Sequence, residues 1–123
     1  MFMRLQTVIA GALFWISGTI LIRLAGQWIF RLSPLVLYAV SFVTMALVVP
    51  RLFAALGIAS GSWPQAATLL MLPTLLLDPL SCAFFSSFFP NVHAAAAGVF
   101  GGWMLVCCGG AAAGAWIPAL KAR

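Results

Sequence analysis

The chain of 123 residues has one acidic side chain, Asp78, and no glutamate. Charged residues of both signs make up 6% of it, against about 25% in a soluble domain. So few charges cannot cover a surface that faces water, and no soluble domain of useful size can be cut from this sequence. One acid and one histidine, His93, are also too few for the paired carboxylates of a hydrolase or the ligand set of a catalytic metal. There is no phosphate-binding glycine loop, no HExxH and no Ser/His/Asp set, so no enzyme is expected. Cys82, Cys107 and Cys108 form no CxxC and no Cys/His ligand spacing. They read as small apolar packing residues.

Hydrocarbon replaces charge throughout. The chain is 65% hydrophobic with a mean hydropathy of +1.19, a composition that lipid solvates and water does not. Its length accommodates about four spans of ~20 residues with short turns. A single integral membrane domain over 1–123 is expected, with helices at about 5–25, 34–56, 65–85 and 93–117. The run after Arg4 is longer than the core of a signal peptide, and no small-x-small cleavage site follows it before Arg23. It reads as an uncleaved first span. Ser33-Pro34 offers a cap and a first-turn proline for the second helix. Residues 57–64 carry the turn chemistry of a loop. The third run contains Pro73 and Pro79, and Pro118 marks the end of the fourth. The expected fold is an all-α polytopic membrane protein, a four-transmembrane-helix bundle whose third helix is kinked at Pro73/Pro79.

The net charge of +5 comes from basic residues placed singly near the ends of apolar runs. They read as topology markers and headgroup anchors, not as a nucleic-acid surface. With four spans, Arg4, Arg51, Lys121 and Arg123 share one side, and Arg23 and Arg31 the other. The positive-inside rule then puts both termini in the cytoplasm. Small residues mark helix contacts. Gly11 and Gly18 share a face of the first helix. Ala94, Gly98, Gly102, Gly110 and Gly114 form a four-residue-spaced stripe on the fourth, broken only by Val106. Such a stripe lets another helix approach closely, in the same chain or in a partner. Beside the lipid bilayer, the expected partners are therefore a second copy or a larger membrane complex. The first functional expectation is a non-enzymatic subunit or assembly factor that docks through its fourth helix.

Asp78 carries the second. An unpaired carboxylate at mid-bilayer costs roughly 2.5–3.5 kcal/mol on insertion scales. At ~1.5 Å per residue, Arg23 lies ~27 Å and Asp78 ~20 Å along their helices. One reading is an ion pair of Arg23 and Asp78 that fixes helices one and three. Another is a coupling site in a small homo-oligomeric proton- or cation-coupled transporter or channel, and a third is a lone Asp beside the proline-broken backbone or at a partner interface. His93 begins the fourth helix and reads as an interfacial polar residue. Its alternative is an axial ligand to a tetrapyrrole such as haem or chlorophyll; no other cofactor is expected, and no metal.

Three stretches taken in order also carry a resemblance. They are Phe14-Trp15-Ile16 with Arg23-Leu24-Ala25-Gly26-Gln27, then Leu72-Pro73 through Leu77-Asp78 with Phe89-Pro90-Asn91, then Phe100-Gly101-Gly102-Trp103-Met104-Leu105. Together they resemble a family of short bacterial four-helix membrane proteins catalogued only as a domain of unknown function. Arg23, Gly26 and Asp78 match that family's pattern. The resemblance implies a four-helix inner-membrane protein and brings no established activity with it.

Overall fold

The computed structural model describes residues 2–121, with side chains from residue 4. Four long helices follow one another: α1 (Phe2–Ile29), α2 (Pro34–Ala55), α3 (Trp63–Ala83) and, after the single turn α4 (Phe85–Phe88), α5 (Ala97–Lys121). Short 3₁₀ turns at Ser60–Ser62 and Ala94–Ala96 lead into α3 and α5. All four long helices are apolar and long enough to cross a membrane. The chain is an all-α, multi-pass membrane protein, with no strand among the described residues.

Local chemistry sets the helix ends. Pro34 opens α2, where its fixed φ suits the first turn and its missing N–H costs nothing. Gly57, at φ +73, closes it. Ile58 N donates to Phe53 O at 3.0 Å and Gly57 N to Ala54 O at 3.1 Å. This is the paired bonding of a Schellman cap, which needs a left-handed residue that glycine adopts readily. The cap's apolar contact is present too, since Phe53 and Ile58 are both buried in one cluster. α3 continues through Pro73 and Pro79; each removes one intrahelical bond, to Leu69 and Leu75, the usual origin of a kink. Expected ends are corrected in α1, which runs on past residue 25 to Ile29, and in α5. α5 runs past Pro118 to Lys121, because a proline in the last turn sacrifices a single bond, to the Gly114 carbonyl. Its start is at Ala97, because residues 94–96 form a 3₁₀ turn capped by His93.

Packing follows the glycines. α1 packs on α3, α3 on α5, and α5 on α2, whereas α1 and α2 do not pack along one another. Gly11 sits directly on the Leu70 backbone. Tyr38 Oη donates to the Val99 carbonyl at 2.9 Å, and Gly102 lies against the Tyr38 ring. A Cβ at Gly110 would stand 2.5 Å from the Phe42 carbonyl oxygen, and one at Gly114 2.5 Å from that of Ala46. The small-residue stripe of α5 is thus covered by α2 of the same chain. Gly18 and Gly98 depart from the expected packing role, since nothing lies within 4 Å of the position a Cβ would take at either. Gly18 faces a cavity and Gly98 is exposed in the first turn of α5. Gly26, in contrast, is a close-contact position, 2.7 Å from Val92 Cγ2 by the same measure.

These contacts make α1 parallel to α3 and α2 parallel to α5. Two apolar clusters then close the two ends of the bundle. Val49, Phe53, Ile58 and Leu70 pack with Ala111 and Ala115 at one. Ile22, Phe85, Phe89, Val92 and Phe100 pack at the other, with Phe89 and Phe100 ring centroids 5.2 Å apart. Because the atoms met at Gly110 and Gly114 are backbone, they cannot swing aside. Gly110→Leu and Gly114→Val are each expected to destabilise the fold by about 1–3 kcal/mol, measured by unfolding in mixed detergent micelles. Gly18→Ala should be neutral or stabilising; an equal loss at Gly18 would contradict this packing.

Candidate intramembrane carboxylate site

Asp78 lies in the second half of α3, five residues before its end, and is 7% exposed. Its Oδ1 accepts a hydrogen bond from Trp15 Nε1 of α1 at 2.9 Å. Its Oδ2 is buried and has no hydrogen-bond partner. A carboxylate offers about four acceptor positions, and here a single N–H serves them. The neighbouring polar group, Ser81, is turned to its own helix and donates to Leu77 O at 3.2 Å.

The expected ion pair is not formed. Arg23 is exposed, and no salt bridge joins it to Asp78 among the described residues. The reason is register. Gly11 meets Leu70 and Trp15 hydrogen-bonds Asp78. Arg23 is eight residues further along α1, ~12 Å higher and roughly 80° around the helix.

Asp78 borders two cavities. The larger, about 330 Å³, lies in the middle of the bundle between the two apolar clusters. Trp15 and Thr19 of α1, Ser41 and Thr44 of α2, Thr74 of α3 and Trp103 of α5 line it. The smaller, about 200 Å³, lies between α3 and α5 beside Pro79 and Gly101. Thr74, Asp78, Met104 and Cys108 line both. The carboxyl therefore stands in the partition between them. Both tryptophans of the larger cavity are held by their indole N–H groups: Trp15 on Asp78, and Trp103 on Ser41 Oγ at 2.7 Å. Trp103 also meets Phe30 edge to face, with centroids 5.8 Å apart.

The remaining polar residues gather elsewhere. Asn91 Nδ2 donates to Ile22 O at 2.9 Å and to Gln27 Oε1 at 2.6 Å, tying the end of α1 to the turn before α5. His93 is exposed, and its Nδ1 accepts the Ala95 N–H at 3.1 Å. It lines neither cavity, so the axial-ligand expectation gains no enclosed space for a macrocycle. Among the described residues no group of three His, Cys, Asp or Glu side chains could hold a metal ion. The three cysteines are free.

Sequence reasoning found Asp78 and missed its partner. A signal was present: an indole deep in an apolar helix still needs an acceptor for its N–H, and the chain offers one carboxylate. Comparison with known proteins adds one finding. A family model matches residues 29–121, and it describes a family of unknown function. The match takes in the Asp78 stretch, the Phe89-Pro90-Asn91 turn and the stretch from Phe100 to Leu105, and it begins after Trp15 and Arg23. No curated protein and no solved structure matches.

Removing the donor leaves a buried carboxyl without a partner. Trp15→Phe is expected to cost about 1–3 kcal/mol, read from unfolding in mixed micelles. Arg23→Gln should stay within about 0.5 kcal/mol of the wild type. A loss at Arg23 as large as that at Trp15 would restore the ion pair.

Proposed function

The chain belongs to DUF5367, a family of unknown function, and we propose that it is a small proton-coupled membrane carrier with Asp78 as the coupling group. One observation carries the reading. The chain's sole acid is buried, with one oxygen unpartnered, in the partition between two cavities. A purely structural carboxyl would be expected to have its oxygens bonded, since an unsatisfied buried polar atom costs about 1–3 kcal/mol. An oxygen left open is available to a proton or to a cation, and it cannot serve both at once. That competition is the elementary step of coupling: a bound proton must leave before a positive charge can take its place.

The neighbouring residues fit the role. Trp15 holds the carboxyl in position through Oδ1 and leaves Oδ2 as the exchanging atom. The α2–α5 pair, locked at Gly110 and Gly114, supplies a stiff wall. The docking reading draws no support from the α5 stripe, because α2 covers it. We read both termini as cytoplasmic from the distribution of the basic residues, in the bacterial inner membrane that the sequence resemblance implies. Arg4, Arg51 and Lys121 lie towards one end of the bundle, and Arg23 and Arg31 towards the other. Arg123, counted with the first group, lies outside the described residues.

The test is a pH step applied to proteoliposomes on a solid-supported membrane. Wild-type protein is expected to give a transient displacement current as Asp78 gains or loses its proton, and Asp78→Asn to give none. Arg23→Gln should keep the current. Equal currents from wild type, Asp78→Asn and protein-free liposomes would end the carrier reading.

A further inference from the structure

We propose that the larger cavity binds a lipophilic organic monocation, which sets its positive charge against Asp78 and reaches the site from the lipid through the gap between α1 and α2. The proposal rests on the carrier reading and names its substrate class.

Charge comes first. The chamber holds one acidic group and no basic one. A single positive charge balances it. A second would remain uncompensated in an apolar site, where an unpaired charge costs far more than in water. The rest of the lining favours an organic cation over a metal ion. A hard metal ion takes about six or more oxygen ligands. The chamber offers one unpartnered carboxylate oxygen and a few hydroxyls, of which that of Ser41 already accepts from Trp103. It does offer aromatic surface. Trp15, Trp103, Phe14 and Phe100 line it. The two indoles are fixed in place by their N–H bonds. Aromatic faces attract cations, tryptophan most strongly, and the attraction grows as water is excluded. An organic cation also brings hydrocarbon of its own to an apolar wall. At about 330 Å³ the chamber is at the small end of ligand pockets, which run from about 300 to 1,000 Å³.

The route follows from the packing. Apolar clusters close the bundle above and below the chamber. α3 and α5 form its floor, and α1 and α2 do not pack along one another. Apolar residues of both helices stand exposed at the rim of the chamber, Phe14 at 45%, Leu21 at 52% and Val40 at 60%, with Thr44 of α2 exposed beside them. In a bilayer that rim faces acyl chains, so a ligand entering there must first dissolve in lipid.

Binding exchanges charges one for one. The O–H bond at Oδ2 breaks, the proton leaves to bulk water, and the cation takes its place beside the carboxylate. The charge inside the chamber is unchanged and nothing is oxidised or reduced. The titratable groups facing Asp78 are thiols only: Cys82 on α3, and Cys107 and Cys108 on α5. The cavity linings from α1 and α2 contain no titratable side chain.

The experiment uses the full chain in nanodiscs with benzyltrimethylammonium as the probe and neopentylbenzene as its uncharged isostere. Equilibrium dialysis should give saturable binding that weakens as pH falls, with release of about one proton per cation in weakly buffered solution. Asp78→Asn should weaken binding at least about tenfold, and Trp103→Leu should weaken it while keeping the pH dependence. If Asp78→Asn fails to fold, the pH dependence and proton count of the wild type decide the question alone. Binding that is unchanged in Asp78→Asn, or independent of pH, or displaced equally well by neopentylbenzene, would overturn the proposal. If the probe does not bind but the pH-step current still depends on Asp78, the substrate class is wrong and the carrier reading stands. If both fail, both fall.

Discussion

A carboxyl group without a counter-ion, buried in a bundle meant for hydrocarbon, must take whatever donor the neighbouring helices can bring. Here that donor is the indole of Trp15. Much of the rest is arranged around this contact. Gly11 lets α1 settle onto the Leu70 backbone, and this close seat sets the register that carries Trp15 to Asp78. The same register lifts Arg23 away and leaves it exposed. One carboxyl oxygen is bonded and the other is not, and the open one lies where two cavities meet.

The bundle divides into two parallel pairs with unequal duties. α2 and α5 are held backbone to backbone at Gly110 and Gly114, and by the Tyr38 and Trp103 hydrogen bonds. Interior packing of this kind transmits strain and yields little. α1 is attached chiefly to α3, with the Gly11 seat and the Trp15 hydrogen bond within that interface, and it does not pack along α2. The chamber occupies the space this leaves. Its ends are closed by aromatic and aliphatic clusters and its side faces lipid. In lipid the exposed leucines and valines of α1 and α2 need no partner, because acyl chains are as apolar as they are.

The sequence made much of this legible, and the gaps have a common physical cause. The four spans came from apolar run length, the start of α2 from Ser33-Pro34, and the connection before α3 from the turn residues of 57–62. Asp78 stood out because a lone acid in lipid is costly. The α5 stripe was visible as a contact surface, but spacing on one helix cannot name the helix that fills it. Trp15 and Arg23 show the limit most clearly. Both lie on α1, and which of them meets Asp78 depends on the axial offset of α1 against α3. α1 begins at Phe2, not residue 5, and α3 at Trp63, not residue 65. Each residue of offset moves a side chain ~1.5 Å and 100° around the helix. A few residues of offset between two helices therefore exchange one partner for another. That offset is fixed by where Gly11 seats, which is a property of two surfaces and not of either sequence stretch alone.

The central claim is that Asp78 is held by an indole and left free to bind a proton, with no arginine neutralising it. Infrared difference spectroscopy of the protein in nanodiscs, recorded between low and high pH, observes the carboxyl directly. The account predicts a carboxylic C=O stretch that appears and disappears with pH in the wild type, persists in Arg23→Gln and vanishes in Asp78→Asn. A band absent from the wild type that emerges only when Arg23 is removed would contradict it, since that is the signature of a carboxylate kept ionised by the arginine.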